Sequence, residues 1–278
     1  MITSIHVNQA IDYILQHIED NISLEDVAEH CHFSKYYFCR LFKEQTGESL
    51  YSFIRRVRLE QSAFRLKTER ERPITEISAD YGYSSSNYSS AFRLHYHMPP
   101  VDFRRESYQK SMAHPFFHHE NWQVGSFGEC DRRITVKRMP DYHVIYERRI
   151  GSYGELSGEW NRFIGKYRMY VTEKTKFLER TYDDPAVNRA GNCLSDICMT
   201  AGPDCPLENR TVIRGGRCIV YRFQGHMKYI YAAYQTIFLV WLPESGHRLD
   251  PARSLFDLYY RVDHKTMEIE MDICVPIV

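Results

Sequence analysis

The chain has 278 residues, 43% of them hydrophobic and 26% charged, the profile of a globular protein of about two domains rather than of a disordered chain. Its 36 basic and 36 acidic side chains cancel, which argues against a nucleic-acid coat over the whole surface, and no stretch supplies the ~18 uncharged apolar residues that cross a membrane. Eight cysteines without a C-x-x-C pair, behind a start (Met1 to Asp20) that lacks a basic segment followed by an apolar one, predict reduced thiols in a cytoplasmic protein. The closest group, Cys193, Cys198 and Cys205, is poorly spaced for zinc, so neither a metal nor a cofactor is expected.

The first hundred residues repeat. Shifting Leu24 to Phe53 by 50 positions lays Leu24 on Ile74, Val27 on Ile77, Phe33 on Tyr83, Ser34 on Ser84, Phe38 on Tyr88, Phe42 on Phe92 and Phe53 on Phe103. Within each copy the apolar period is helical and a short break precedes Ser34 and Ser84, so each reads as a helix-turn-helix. Ser23, with Asp26 three residues on, forms an acidic variant of the capping box, Ser34 stands ahead of the second helix, and Pro73 opens the second copy. Between the copies, Ser49 to Lys67 carries Leu50, Phe53, Ile54, Val57 and Phe64 among Arg55, Arg56, Arg58 and Arg65, which predicts a long connecting helix with a basic side.

A helix-turn-helix lays its second helix in the major groove, so that helix should present a polar, non-acidic face. Phe38, Leu41 and Phe42 cluster on one side of the first such helix, and Tyr36, Cys39, Arg40 and Lys43 lie opposite. The second helix exposes Ser86, Asn87, Ser90 and Arg93, with His97 at its end and Ser89 nearer the core. Residues 1–107 hold 13 basic against 15 acidic side chains, but Lys35 to Arg72 holds ten basic against five acidic, the local stripe that phosphate contacts need. A helical bundle with incidental arginines is the bland alternative. Lys35, Arg40 and Lys43 should lower the pKa of the Cys39 thiol somewhat, although a lone thiol is a thin redox sensor.

At these residues the chain resembles the AraC/XylS family of transcription regulators. The resemblance is carried by Ser34-Lys-Tyr-Tyr-Phe-Cys-Arg-Leu-Phe-Lys-Glu-Gln-Thr-Gly47, Pro73-Ile-Thr-Glu-Ile-Ser-Ala-Asp-Tyr-Gly-Tyr83, Ala91-Phe-Arg and Pro100-Val-Asp-Phe-Arg104, and spans about residues 8–107. It implies two units docked in successive major grooves of promoter DNA, with Tyr36, Cys39 and Arg40 at base-reading positions of the first recognition helix and Ser86, Asn87 and Ser90 at those of the second. The second unit departs from the family pattern: it is one residue shorter between Tyr83 and Phe92, Ser90 replaces the common Arg, and His97 replaces the usual Gly.

Residues 108–131 read as a linker, in which His114, His118 and His119 sit without a clear fourth ligand. Beyond it, β-branched and alternating runs predict strands at Val144 to Tyr146, Ile197 to Met199, Cys218 to Tyr221 and Ile269 to Val275, with helices over Tyr153 to Tyr167 and Lys228 to Trp241. A second repeat appears: Val144-Ile-Tyr146 parallels Ile219-Val-Tyr221, and Asp196-Ile-Cys198 returns as Asp272-Ile-Cys274. The fold expected is therefore multidomain: an all-α domain, residues 1–107, with two helix-turn-helix units, then an α+β domain, residues 132–278, of two pseudo-symmetric β-α-β-β halves.

These landmarks, with Trp241-Leu-Pro-Glu-Ser-Gly246, Tyr182-Asp-Asp-Pro185 and Asp272-Ile-Cys-Val-Pro-Ile277, resemble the GyrI-like effector-binding domain, and the whole layout is similar to the Rob type of regulator. The resemblance implies a cleft between the halves, lined by aromatics and often holding a carboxylate that recognises cationic, lipophilic compounds. The aromatics available to line it are Tyr146, Trp160, Tyr221, Phe223, Tyr229, Tyr234, Trp241, Tyr259 and Tyr260, for each of which core packing is the competing role. Glu268, Glu270 and Asp272 alternate with Ile269, Met271 and Ile273, so three carboxylates share one sheet face, turned either to the cleft or to solvent. The expected partners are promoter DNA, a small-molecule effector and RNA polymerase, with no membrane. A hydrolase built on the GyrI-like half is the rival reading, although no Ser-His-Asp, Cys-His or metal motif supports one, and a protein-interaction module is a third.

Overall fold

A computed structural model describes residues 1–114, 124–188 and 191–278, in two compact units, Met1–Tyr108 and Gln109–Val278. His118 and His119 lie outside the described residues.

The first unit is helical: α1 (Ile5–Gln16), α2 (Leu24–His30), α3 (Lys35–Thr46), α4 (Leu50–Thr68), α5 (Ile74–Asp80), α6 (Ser85–Tyr96) and the greater part of α7 (Pro100–Met112). The pairs α2–α3 and α5–α6 are the two helix-turn-helix units. Ser23 closes the expected capping box: its hydroxyl accepts from the Asp26 amide, and the Asp26 carboxylate accepts from the Ser23 amide. The sequence repeat is a repeat of packing. Phe42 meets Phe53 edge-on at 5.2 Å, and its counterpart Phe92 meets Phe103 in the same way at 5.3 Å. The second helices of the two units, α3 and α6, also end alike, on Gly47 at φ 80° and on His97 at φ 59°. That left-handed cap is natural for Gly and strained for most other residues.

The connecting helix α4 corrects one expectation. Three of its arginines turn inward. Arg56 is buried between Glu48 and Glu60. Arg65 reaches Asp80 at 2.5 Å and Glu19 at 3.1 Å. Arg58 donates to the carbonyl of Ile18 at 3.1 Å. Arg58 and Arg65 tie α4 to the segment that follows α1, Arg65 also ties it to α5, and all three arginines are spent on internal pairs, so the basic stripe available to phosphates is narrower than the charge count implies.

The second unit is α+β. After α8 (Phe127–Asp131) come β1 (Ile134–Met139), β2 (Tyr142–Gly151), α9 (Leu156–Lys166), β3 (Phe177–Thr181), β4 (Cys193–Thr200), β5 (Arg210–Ile213), β6 (Gly216–His226), α10 (Ile230–Thr236), β7 (Leu255–Asp263) and β8 (Glu268–Pro276). The two β-α-β-β halves are present, each preceded by one further strand. Part of the stretch expected as linker is ordered as well: α7 runs on to Met112, and α8 has its own capping box from Ser126 and Glu129.

The eight strands of the described residues form one antiparallel sheet in the order β1-β6-β8-β7-β3-β4-β2-β5. Flat, that order would hold β1 and β2 about 29 Å apart at ~4.8 Å per strand. Yet Met139 at the end of β1 and Tyr142 at the start of β2 are separated only by Pro140 and Asp141, a link that spans about 10 Å. The sheet must therefore curl until its edges approach. Where they do, the Gly215 amide donates to Asp141 at 2.8 Å, and a Cβ on Gly215 would stand 2.1 Å from the Met139 carbonyl oxygen. Inside the curl, Val144, Tyr146, Leu178, Cys198, Val220, Phe256, Leu258 and Cys274 form one core. The helices lie on the other face, where Phe163 and Tyr167 of the α9 region cover Ile145, Ile197 and Met199.

Strand register locates the internal symmetry. Arg148 pairs with Asp196 across β2 and β4, as Arg222 pairs with Asp272 across β6 and β8. The axis relating the halves passes between β3 and β7, where Glu179 stands directly opposite Asp257. This register revises the repeat read from sequence by one residue in the first strand: Tyr146 faces the inner core, whereas Tyr221 faces the helices, because a one-residue slip inverts every side chain. Among the described residues, no helix is long and apolar enough to cross a membrane, and no group of three His, Cys, Asp or Glu side chains is placed to hold a metal ion.

Candidate functional sites

In the first unit, α3 turns Phe38 and Phe42 into the core and leaves Tyr36, Arg40 and Lys43 exposed, with Cys39 half-buried beside them. Tyr36 is 89% exposed, unusual for a large aromatic that serves only its own fold. Arg40 places its guanidinium 5.9 Å from the ring centre of Tyr37. The sequence reading missed Tyr37, although its spacing of three residues from Arg40 is the signal that two side chains share a helix face. In α6, Ser86, Asn87, Ser90 and Arg93 are all exposed, while Tyr88 is buried and donates to Ser62 of α4 at 2.9 Å. Cys39 departs from expectation: burial pushes its thiol pKa up, and Lys35 only partly offsets this.

In the second unit, the face beneath the helices holds a buried polar centre. Glu179 of β3 and Asp257 of β7 are 2% and 3% exposed and face each other across the ladder. Among the described residues, no cation pairs with either. Tyr259 donates to Glu179 at 3.0 Å, and Tyr234 of α10 donates to Asp257 at 2.6 Å. Trp160 of α9 stands edge-on to Tyr259 at 5.6 Å and to Phe177 at 6.2 Å. Desolvation pushes the Glu179 carboxyl up to about 7, against hydrogen bonding from Tyr259 and Trp160 and the more distant charge of Arg149. Burial, together with the charge of Glu179, raises Asp257 well above the ordinary carboxylate range. Two carboxyl groups on neighbouring strands in a dry setting cannot both ionise without a large cost.

Of the aromatics expected to line a cleft, Trp160, Tyr234 and Tyr259 meet at this centre. Tyr221 and Phe223 lie on the same face but farther along the sheet, and Tyr221 accepts a hydrogen bond from Arg133 at 3.1 Å. Trp241 is buried and donates to Asp131 of α8 at 2.9 Å. Tyr146 belongs to the inner core, below Arg148 and Arg180.

The expected carboxylates are displaced too. Glu268, Glu270 and Asp272 do share a face, but it is the one turned away from the helices. There Glu268 is exposed, Glu270 binds Arg222 at 2.9 Å, and buried Asp272 accepts from Arg222 at 2.6 Å and from Tyr260 at 2.8 Å. Reading alternation identified a shared face but not which face it was. The two acids of the centre, Glu179 and Asp257, were passed over, although Asp257 within Leu-Phe-Asp-Leu-Tyr-Tyr260 is a lone acid in an apolar run, and that was its signal.

A family model described as a GyrI-like small molecule binding domain matches residues 133–278, and one described as a helix-turn-helix domain matches residues 27–106. The chain is 31% identical over 121 residues to the multiple antibiotic resistance protein MarA of Escherichia coli, covering 42% of this chain and 94% of that one. It is 35% identical over 99 residues to the regulatory protein SoxS of Salmonella typhimurium, covering 35% and 92%. A solved EcmrR–DNA complex is similar over 93% of this chain and 87% of that one, at 15% identity and a TM-score of 0.45.

Proposed function

Since the chain belongs to the AraC family of transcription regulators, as a relative of MarA and SoxS, and in its second half to the GyrI-like small molecule binding family, we propose that it couples promoter binding to a cationic, lipophilic effector. Tyr36, Cys39, Arg40 and Lys43 of α3, with Ser86, Asn87, Ser90 and Arg93 of α6, form the DNA-reading surface, and RNA polymerase is the partner through which binding acts. The effector lies against Glu179 and Asp257, with Trp160, Tyr234 and Tyr259 supplying flat faces. What carries this reading is the carboxyl pair itself. A buried acid without a counter-ion is costly, and an entering cation recovers Coulomb energy that a neutral isostere cannot. Because both acids are covered, entry requires Trp160 or Tyr234 to swing aside.

Calorimetric titration of a matched cationic and neutral dye pair tests this. The cation should bind the wild-type protein more tightly, and Glu179→Gln or Asp257→Asn should erase the preference; equal binding of the neutral dye would sink the reading. A carboxyl group held near neutral pH beside two phenols also suits acid–base hydrolysis of an electrophile. Analysing the same titrations for product separates the two, since a sensor returns its ligand unchanged.

A further inference from the structure

The helix-bearing face of the sheet holds more than the carboxyl pair. Arg149 of β2 is 2% exposed and lies directly across the ladder from Ser195 of β4, which is fully buried. One terminal nitrogen of Arg149 donates to the Ser152 carbonyl at 2.7 Å, while the other, Nη1, has no partner. The Ser195 hydroxyl has none either, nor has the buried hydroxyl of Tyr153, on the turn that follows β2. Arg149 is not the counter-ion of Glu179, because its only carboxylate within 4 Å among the described residues is the exposed Glu155, at 3.9 Å. Gly151 makes room for the guanidinium, since a Cβ there would stand 2.6 Å from Nη2.

Three buried donors left open on one patch are rare in a folded protein, because each gives up its hydration without compensation. The internal duplication supplies a control. By strand register, Arg149 and Ser195 in the first half correspond to Phe223 and Met271 in the second, both buried and apolar. The fold therefore does not require polar side chains at these positions. Glu179 lies one row along the same face, paired with Ile197, two residues beyond Ser195.

We propose that Arg149, Ser195 and Tyr153 form a second, hydrogen-bond-donating pole of the same site, and that its ligand is dipolar: a cation against Glu179 and Asp257, and a carboxylate against Arg149. This rests on the effector reading given above. The guanidinium supplies the charge-assisted bond, and the two hydroxyls complete the acceptor's coordination. The far end, at Phe223 and Met271, takes the apolar remainder.

The test uses the full chain, calorimetry, and benzyltrimethylammonium compared with analogues bearing a para carboxylate, attached directly or through one or two methylene groups. At least one carboxylated analogue should bind wild type about tenfold more tightly than the parent cation, the worth of one charge-assisted bond. Arg149→Met should bring the two level, Ser195→Ala and Tyr153→Phe should each narrow the gap, and Glu179→Gln should weaken both ligands while keeping their order. If the parent cation binds wild type as well as every analogue, or the preference survives all three changes at the pole, these donors hold water only and the proposal fails while the effector reading stands. If no member of the series binds, both fail.

Discussion

Arg40 and Glu179 make the sharpest claims at the scale of single residues. Arg40 is the side chain on α3 able to bond two acceptors of one guanine, so Arg40→Ala should cost ~1 to 3 kcal/mol on a selected promoter site and leave scrambled DNA nearly unaffected. Equal losses on both, in a competition binding assay, would make it a phosphate contact. Glu179 governs a pH dependence whose sign is fixed. Between its ordinary value of 4.5 and the folded value of about 7, the unfolded chain releases a proton that the folded one keeps. The contribution of Glu179 to the stability of the second unit is therefore fully present below pH 4.5, falls as pH rises, and levels off above about 7. At ~1.4 kcal/mol per unit the loss is on the order of 3 kcal/mol. Glu179→Gln should lessen the loss of stability between pH 5 and pH 8, as measured by urea unfolding at the two values; a loss left unchanged by the substitution would contradict it. The sequence hides this residue because Phe-Leu-Glu-Arg-Thr181 reads as a charged, solvent-facing segment, and only the topology places it in the middle of an eight-stranded sheet.

Among the elements, the helices were far more legible than the strands. Apolar spacing repeated 50 residues apart fixed α2, α3, α5 and α6, because each buries one face and its period survives any tertiary context. The short strands β3 and β5 carry no such signal, and β2 and β6 misled because a tyrosine in each invited the wrong alignment. The C-caps of the recognition helices offer a test. Gly47 adopts its left-handed φ at little cost, whereas His97 holds the same conformation against a steric penalty of about 1 kcal/mol. His97→Gly should raise the stability of the first unit by about that amount, read as a higher midpoint in thermal unfolding. A fall would mean that the imidazole makes a compensating contact.

Across the whole molecule, both units are internal duplications, and in both the copies agree at some positions and differ at others. In the first unit, Phe42 with Phe53 and Phe92 with Phe103 are the shared parts, while Arg40 and Ser90 are the divergent ones. In the second, the shared part is the acid on each central strand. That placement has a consequence for anything held there. An axis that exchanges Glu179 with Asp257 presents the same pair of charges to a molecule and to the same molecule turned end over end, so the charges alone leave two orientations degenerate. Which one is occupied is decided by positions where the halves no longer match: Arg149 against Phe223, and Ser195 against Met271.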